Sequence, residues 1–373
     1  MNSKYYPLIK LARQASLMKR RFTLPFSLVR SGFAKSDSYY PELPQKSRFR
    51  IFRELLGHII KYGSIEWHYF TYGFDIKGFR NRNDYMDDAE FMWQNNMLNL
   101  VQVDLDYTCI LRDKTLFGEM LKMWGYNTPH IIAKIYCEQD AMDFVETTHC
   151  GGGWFCKPIN GQCGEGAFKL FVLSDEKCMI DNSQYALEEA KGLLIKRLSR
   201  TPYIIQNIVE QLPEINAIYP KSLNTVRITT YYDKEKQQVL PFAGLYRAGA
   251  YNLEVDNWAI GGILIGVDVL SGKLGKYGFF KHGNGGKTDR HPETGFVFEN
   301  YQLPNYNQAL QQAISLHYKL KGIPIIGWDI ALTKDGPVFI EGNDNIEIGP
   351  LQISVDKGLK KEYAEVRRKC LGF

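Results

Sequence analysis

No stretch of the chain approaches the roughly 18 consecutive apolar residues that a membrane-spanning helix needs. The first residues also lack the continuous apolar core of a secretory signal, so a cytoplasmic protein is expected. Cysteine is scarce and unpaired: the seven, at 109, 137, 150, 156, 163, 178 and 370, include no CxxC pair and no zinc-ligand spacing. That argues against a disulfide framework and leaves reduced thiols. Cys156 and Cys163 flank a glycine-rich segment, where small side chains suit a tight loop. The chain has neither a GxxxxGK[ST] loop nor a glycine fingerprint leading into a helix. It shows no Ser-His-Asp or Cys-His pattern of a nucleophilic hydrolase. Repeats with a period of about 20–50 residues and low-complexity tracts are also absent.

What is present describes a folded protein with unevenly spread charge. Its 373 residues suffice for roughly two to three units with cores of their own. Apolar residues make up 45% and charged ones 23%, and the 23 Tyr, 21 Phe and 6 Trp argue against extensive disorder. Net charge is +5, yet residues 1–53 hold twelve Lys/Arg against only Asp37 and Glu42. The remainder carries 34 basic and 39 acidic side chains. From Lys19-Arg20-Arg21 to Arg30, cations mix with Phe22, Phe26, Leu28 and Val29. Such a segment can lie on an anionic membrane surface, and a nucleic-acid arm or a transit peptide would share its composition. A helix packed on the body explains it equally well. The expectation is peripheral contact with the inner face of the membrane, and no nucleic-acid partner.

Along the chain, residues 1–100 are expected to form a basic, mainly helical region with aromatic patches such as Trp67-His68-Tyr69-Phe70. Residues 101–373 read as a strand–helix mixture of the α+β class. A helix is expected from Leu111 to Gly125, stopped before Thr128-Pro129, then a strand at 131–136 and a helix at 138–147. Strands follow at 154–158, 167–173 and 203–209, with a helix through Leu187, Ala190, Leu194 and Leu198 before the last. Further strands fall at 223–232, 238–247, 259–269, 324–333 and 337–342, with a helix at 306–321. Thr333-Lys334-Asp335-Gly336 is a hairpin turn signal.

Three constellations carry chemistry. Lys157 ends a strand and enters a loop in which Gly161, Gly164 and Gly166 let backbone N–H groups approach an anion. Alone this is a weak signal, because glycine-rich turns are common. Glu341 and Asn343 lie two apart and so share one face of a strand, and Asp329 can meet them across the hairpin. Two carboxylates and an amide oxygen form a hard set suited to Mg²⁺ held together with phosphates. Between these pieces, the stretch Gln206-Asn207-Ile208-Val209 offers backbone groups to an adenine edge, and Glu214 could accept ribose hydroxyls. Arg227 and Arg247 are phosphate candidates, each explained as readily by a structural salt bridge.

In order and spacing these residues resemble the ATP-grasp superfamily, and within it the sugar-transfer-associated ATP-grasp family. The resemblance is carried by Ser222-Leu223-Asn224-Thr225-Val226-Arg227, Asp256-Asn257 with Gly261-Gly262, and His291-Pro292-Glu293-Thr294-Gly295. Gly327-Trp328-Asp329-Ile330-Ala331 and Ile340-Glu341-Gly342-Asn343 complete it. It covers about residues 100–353. It implies the ATP-grasp fold, two α+β subdomains gripping ATP: a lid subdomain at about 130–206 and a metal-binding subdomain at about 207–353.

By the same resemblance, Lys114 and Lys157 hold the α- and β-phosphates, and Gly161 to Gly166 form the lid loop. Gln206, Asn207 and Val209 make the adenine hinge, Glu214 takes the ribose, and Asp329, Glu341 and Asn343 bind Mg²⁺. Asn207 stands where many relatives have Glu, which shifts the adenine contact toward Gln206 or the backbone. Gly327 replaces an arginine that some ligases place before the metal Asp, which leaves γ-phosphate charge to Arg227 and Arg247.

The activity implied is an ATP-dependent carboxylate–amine ligase working through an acylphosphate. Its substrates would be small or glycan-linked, in surface polysaccharide biosynthesis. A kinase acting on a hydroxyl and a non-catalytic nucleotide-binding module are the alternatives. Segments 249–262 and 281–295, with His282, Lys287, Arg290 and His291, are candidates to recognise an anionic acceptor, although loop hydrogen bonding accounts for His282.

Overall fold

The computed structural model describes residues 6–102, 107–148, 150–159, 166–181 and 183–372. Three helices open the chain: α1 (Tyr6–Ser31), α2 (Arg48–Tyr62) and α3 (Asp88–Gln102). The helix expected from Leu111 splits into α4 (Thr108–Arg112) and α5 (Lys114–Met123). Asp113 causes the break, its carboxylate accepting from the N–H of Thr115 (2.8 Å) and of Leu116 (3.0 Å) as an N-cap.

A six-stranded antiparallel sheet follows, in the order β1-β6-β2-β3-β4-β5. Its members are β1 (Ile131–Ile135), β2 (Gly153–Pro158), β3 (Phe168–Ser174), β4 (Lys177–Ile180), β5 (Ser183–Ala186) and β6 (Tyr203–Asn207). Helices α6 (Glu138–Thr147) and α7 (Leu187–Leu198) cover it, and Phe144, Ala190, Leu194 and Leu198 join Phe168, Leu170 and Ile205 in one core. In β3 the residues Phe168, Leu170 and Val172 alternate inward, as a half-buried strand requires.

After the short α8 (Pro213–Asn216), a seven-stranded antiparallel sheet runs β11-β10-β9-β8-β7-β12-β13. Its strands are β7 (Thr225–Asp233), β8 (Gln238–Ala248), β9 (Ile263–Val267), β10 (Leu274–Phe279), β11 (Lys287–Thr288), β12 (Ile325–Thr333) and β13 (Gly336–Asn343). Gly336, at φ 101°, closes the β12–β13 hairpin.

The strand alternation sends Val226, Ile228, Tyr246, Trp328 and Ile330 into a core with Ala309, Ala313 and Leu316 of α9 (Tyr306–Lys319). Neighbours of opposite parity, Tyr231, Leu245, Leu264 and Ile325, face a second core built from Phe70, Tyr72 and Phe91 of the N-terminal region. The C-terminal helices α10 (Ile348–Ser354) and α11 (Lys360–Leu371) add Ile353 and Tyr363 to it. With both faces covered, β12 is buried throughout.

The described residues of this N-terminal region therefore pack onto the body rather than forming a detached arm. Gln352 of α10 donates to Tyr72 Oη (2.9 Å) and to the Met86 carbonyl (3.0 Å), and accepts from Met86 N–H (2.8 Å), fastening this region to the C-terminal helices. Where α2 meets the segment before α3, His58, Glu66 and Asp87 are buried together. His58 Nε2 lies 2.7 Å from Asp87 while Arg82 donates to Nδ1, so Nε2 carries the proton and offers no lone pair to a metal. Burial, helped by the Asp87 charge, pushes the Glu66 carboxyl up to about 8.

Among the described residues, no helix is long and apolar enough to cross a membrane. Pattern reading missed β4, β5, β10 and β11. It also began the strand at 259–269 too early, because Trp258–Ile260 form a 3₁₀ turn.

Candidate functional site

Register places the charged residues in a row. On the face turned toward the N-terminal region, Arg227 of β7 pairs directly with Asp329 of β12, and Asp329 pairs with Glu341 of β13. Arg247 of β8 sits opposite Thr225, one step diagonally from Arg227. Asp329 is nearly inaccessible and receives Arg227 in a bidentate pair, Nε to Oδ1 at 2.6 Å and Nη2 to Oδ2 at 2.8 Å. Arg247 Nη2 meets the same Oδ2. Burial alone would raise the Asp329 carboxyl, but the two guanidiniums outweigh it and hold it well below the usual range. Glu341 goes the other way: burial and the adjacent Asp329 charge push it up. Asn343 Nδ2 lies 3.4 Å from Glu341 Oε1. The salt-bridge reading of the two arginines and their place beside the carboxylates thus describe the same atoms.

Facing this row across a cleft of about 1760 Å³ is the six-stranded sheet. Lys157, near the end of β2, is buried, and its ammonium is lowered to about 8 by burial, with Glu341 partly offsetting the shift and Lys114 adding to it. Lys114, first residue of α5, points Nζ at the Ile159 carbonyl (3.3 Å) and is likewise lowered by burial. The lysines therefore converge from separate elements on the region of Glu341. Gly161 and Gly164 lie outside the described residues. Gly166 is left-handed at φ 75°, and its carbonyl accepts from Tyr203 Oη (3.0 Å), which fixes the loop's exit beside β6.

The stretch after β6 lines the same cleft through Gln206, Asn207, Ile208, Val209 and Glu210. The strand stops at Asn207 rather than 209, and the Asn207 side chain accepts from His130 N–H (2.6 Å), bracing β6. Gln206 Nε2 reaches only the Pro129 carbonyl, at 3.4 Å.

Glu214 is a correction. It sits on α8, exposed, outside the residues that line the cleft, whereas Glu210 is on its wall. Counting along an irregular segment could not anticipate the helical turn that carries Glu214 away.

The expected acceptor segments divide in the same way. Glu254, Asp256, Asn257 and Trp258 line the cleft. Asp256 accepts from Thr225 N–H (3.0 Å) and lies 3.8 Å from Arg247 Nε; burial raises it and Arg247 opposes the rise. From the 281–295 loop only Lys281 and His282 reach the cleft. His291 is fully buried, bonded to the Gly249 carbonyl (2.8 Å) and stacked on Tyr219, so it braces the loop. Lys287 pairs with Asp356 (3.0 Å) and Arg290 with its neighbour Asp289 (3.1 Å). His282 bonds the Asp37 carbonyl (2.8 Å), the loop role expected of it. Sequence reasoning missed the N-terminal contribution: Trp67, His68, Thr71 and Asp88 form the far wall, with His68 held 3.1 Å from Asp88.

The donor set can be tested against Mg²⁺. Asp329, Glu341 and Asn343 offer oxygen donors on paired strands; the Asp329 oxygens are already engaged by Arg227 and Arg247, which leaves Glu341 and Asn343 as the freer donors for a hard cation. The set fits.

Comparison with known proteins gives a family and a set of distant folds. A family model described as sugar-transfer associated ATP-grasp matches residues 100–368. No curated protein matches the chain. Among solved structures, a D-alanine–D-alanine ligase from Bacillus anthracis is similar at 11% identity, covering 74% of this chain and 74% of that one, with a TM-score of 0.41. The VanG D-Ala:D-Ser ligase from Enterococcus faecalis is similar at 13% identity, covering 72% and 63%, with a TM-score of 0.42. N5-carboxyaminoimidazole ribonucleotide synthetase from Thermotoga maritima is similar at 14% identity, covering 71% of this chain but only 50% of its own length, with a TM-score of 0.38.

Proposed function

The chain belongs to the sugar-transfer associated ATP-grasp family, and on that footing we propose that it is an ATP-dependent carboxylate–amine ligase. The observation that carries the reading is the Arg227–Asp329–Glu341 row facing the buried Lys157 across one cleft. Lys114 and Lys157 are suited to the inner phosphates of ATP, because burial lowers both ammoniums and a polyphosphate beside them would favour their charged form. Backbone groups at 206–209 take the adenine edge, and Glu210 is placed for the ribose. Mg²⁺ on Glu341, Asn343 and Asp329 would neutralise phosphate oxygens.

In the chemical step the bond from the γ-phosphorus to the ADP oxygen breaks and one to the acceptor carboxylate forms. An amine then attacks the acyl carbon, phosphate leaves with the bonding pair, and the amine loses its proton. Arg227 and Arg247 act on charge developing at the transferred group, and the bidentate pair of Arg227 and the Nη2 contact of Arg247 with Asp329 preorganise them. The carboxylate substrate is assigned to the side of the cleft lined by Asp256, Trp258, Lys281 and His68. The family's sugar-transfer description supports a small or glycan-linked substrate in surface polysaccharide assembly.

ADP release is measured with panels of carboxylates and amines. Release that requires both substrates and disappears in Lys157→Met and Glu341→Gln supports the ligase. Release with a hydroxyl acceptor and no amine would make the protein a kinase. Binding without turnover in any combination would leave a nucleotide-binding module.

A further inference from the structure

Helix α1 has two apolar faces, and the fold uses only one. Toward the body, Leu28 is fully buried, Leu24 packs on the N-terminal core, and Leu17 lies against Gly63, where an added Cβ would come within 2.5 Å of its Cδ2. The Arg13 guanidinium stacks 4.2 Å above the Trp93 ring on the same side. The opposite face is open. Leu8 is 61% exposed, Leu11 63%, Met18 58%, Phe22 73%, Phe26 79% and Val29 66%. Steps of three, four and seven residues stack these six along one line of a 3.6-residue helix. At about 1.5 Å per residue, the stripe from Leu8 to Val29 runs over roughly 32 Å of the 26-residue helix.

Charge says what covers it. Tyr6–Ser31 contains Lys10, Arg13, Lys19, Arg20, Arg21 and Arg30 and no acidic residue. By helical angle, Lys19 and Arg30 border one edge of the stripe, while Arg21 borders the other, and all three are exposed. A second copy of the helix would set cations beside cations with no carboxylate between them, so self-pairing is disfavoured. Nucleic acid would satisfy the cations but leave six apolar side chains in water. A bilayer surface rich in anionic lipid satisfies both: the apolar line enters the acyl boundary, and the long basic side chains reach up to the headgroups.

We propose that α1 is an in-plane anchor that docks the protein on anionic membranes through Leu8, Leu11, Met18, Phe22, Phe26 and Val29. The inference is independent of the ligase reading. The helix ends two residues before Phe33, which lines the cleft, so the anchor is continuous with the cleft wall.

The test is flotation of the full chain with vesicles of phosphatidylcholine plus phosphatidylglycerol, beside vesicles of phosphatidylcholine alone. The wild type is expected to float with the anionic vesicles at least about tenfold more than with neutral ones, and to detach as salt rises. The double variant Phe22→Ser, Phe26→Ser is expected to lose at least about tenfold in binding while keeping the wild-type unfolding midpoint, because both rings are exposed. Sedimentation equilibrium is run on the same samples. Absence of binding to anionic vesicles, binding equal to neutral vesicles, or a double variant that floats like wild type would each overturn the proposal. A wild-type dimer lost in the double variant, without vesicle binding, would assign the stripe to a second copy.

Discussion

Lys157 gives the most direct physical handle on the site. In the free protein its ammonium is lowered to about 8 from an ordinary 10.5, burial being the main cause. A polyphosphate laid against it supplies the missing counter-charge and should return it to roughly its ordinary value. ATP binding must then take up protons wherever free Lys157 is partly neutral. With these two values, uptake through Lys157 is about 0.1 proton at pH 7, about 0.5 at pH 8 and about 0.9 at pH 9. Only the protonated form is competent, so affinity falls about tenfold between pH 7 and pH 9, or about 1.4 kcal/mol. Mg-bound ATP is essentially fully ionised over this range and does not mask the effect. Calorimetry of Mg-ATP binding in buffers of different ionisation enthalpy reads the uptake directly. Lys157→Met should abolish most of the uptake and flatten the pH profile, with a residue left by Lys114, which is lowered in the same direction. It should also weaken binding at pH 7 by about 1.5–3 kcal/mol, the range for a hydrogen bond to a charged group. Equal proton uptake by wild type and variant at pH 8 to 9 would refute the placement of Lys157 against phosphate.

Other substitutions separate neighbouring roles. Glu210→Ala should weaken ATP binding by about 1–2 kcal/mol, whereas Glu214→Ala, on the exposed α8, should leave it unchanged; titration calorimetry of the pair decides between them. Asp329→Ala leaves Arg227 and Arg247 buried without their partner and should cost about 3–5 kcal/mol in urea unfolding. Glu341→Gln removes a carboxylate already strained by Asp329 and should leave unfolding stability at or above wild type while losing Mg-dependent ATP binding. Folded Glu66 holds a proton that the unfolded chain releases above pH 4.5, so stability should fall as pH climbs from about 4.5 to about 8 and then level off. The ceiling on that loss is about 5 kcal/mol, and Glu66→Gln, which cannot ionise, should show a flatter profile in unfolding measured across the same pH range.

Much of the architecture was legible because its strands obey strong local rules. The β12–β13 hairpin announced itself by two apolar runs around Thr333-Lys334-Asp335-Gly336, and parity alone put Glu341 and Asn343 on one side. The strands that escaped notice are short or weakly patterned. The four residues of β5 are mostly exposed, and β11 has only two residues, so neither carries an alternation to read. Site residues followed the same division. Arg227, Asp329 and Glu341 belong to regular strands, where register converts sequence position into a neighbour. Glu210 and Glu214 lie in the irregular stretch and short helix after β6, where it does not. The far wall from Trp67 to Asp88 was invisible for another reason: its contacts with Trp258 and Gly349 span more than 180 residues, and no local period encodes them.

The row across the sheet also explains why one carboxylate must serve two purposes. Asp329 lies between Arg227 and Glu341 because antiparallel register allows one side chain per strand at each level of a face. Its low proton affinity comes from the arginines, and Glu341's raised proton affinity comes from burial, with the Asp329 charge adding to it. The two carboxyls are therefore not equivalent ligands. Asp329 is a fixed anion whose charge is largely consumed by guanidinium, and its main contribution is to keep Arg227 and Arg247 aimed into the cleft. Among the described residues Glu341 forms no ion pair within 4.0 Å, and with Asn343 it is the freer oxygen donor toward a metal ion. Cation binding at Glu341 and phosphate binding nearby would favour each other, since a divalent cation and a polyphosphate carry opposite charge. Nucleotide and divalent cation should accordingly enter this cleft as one unit.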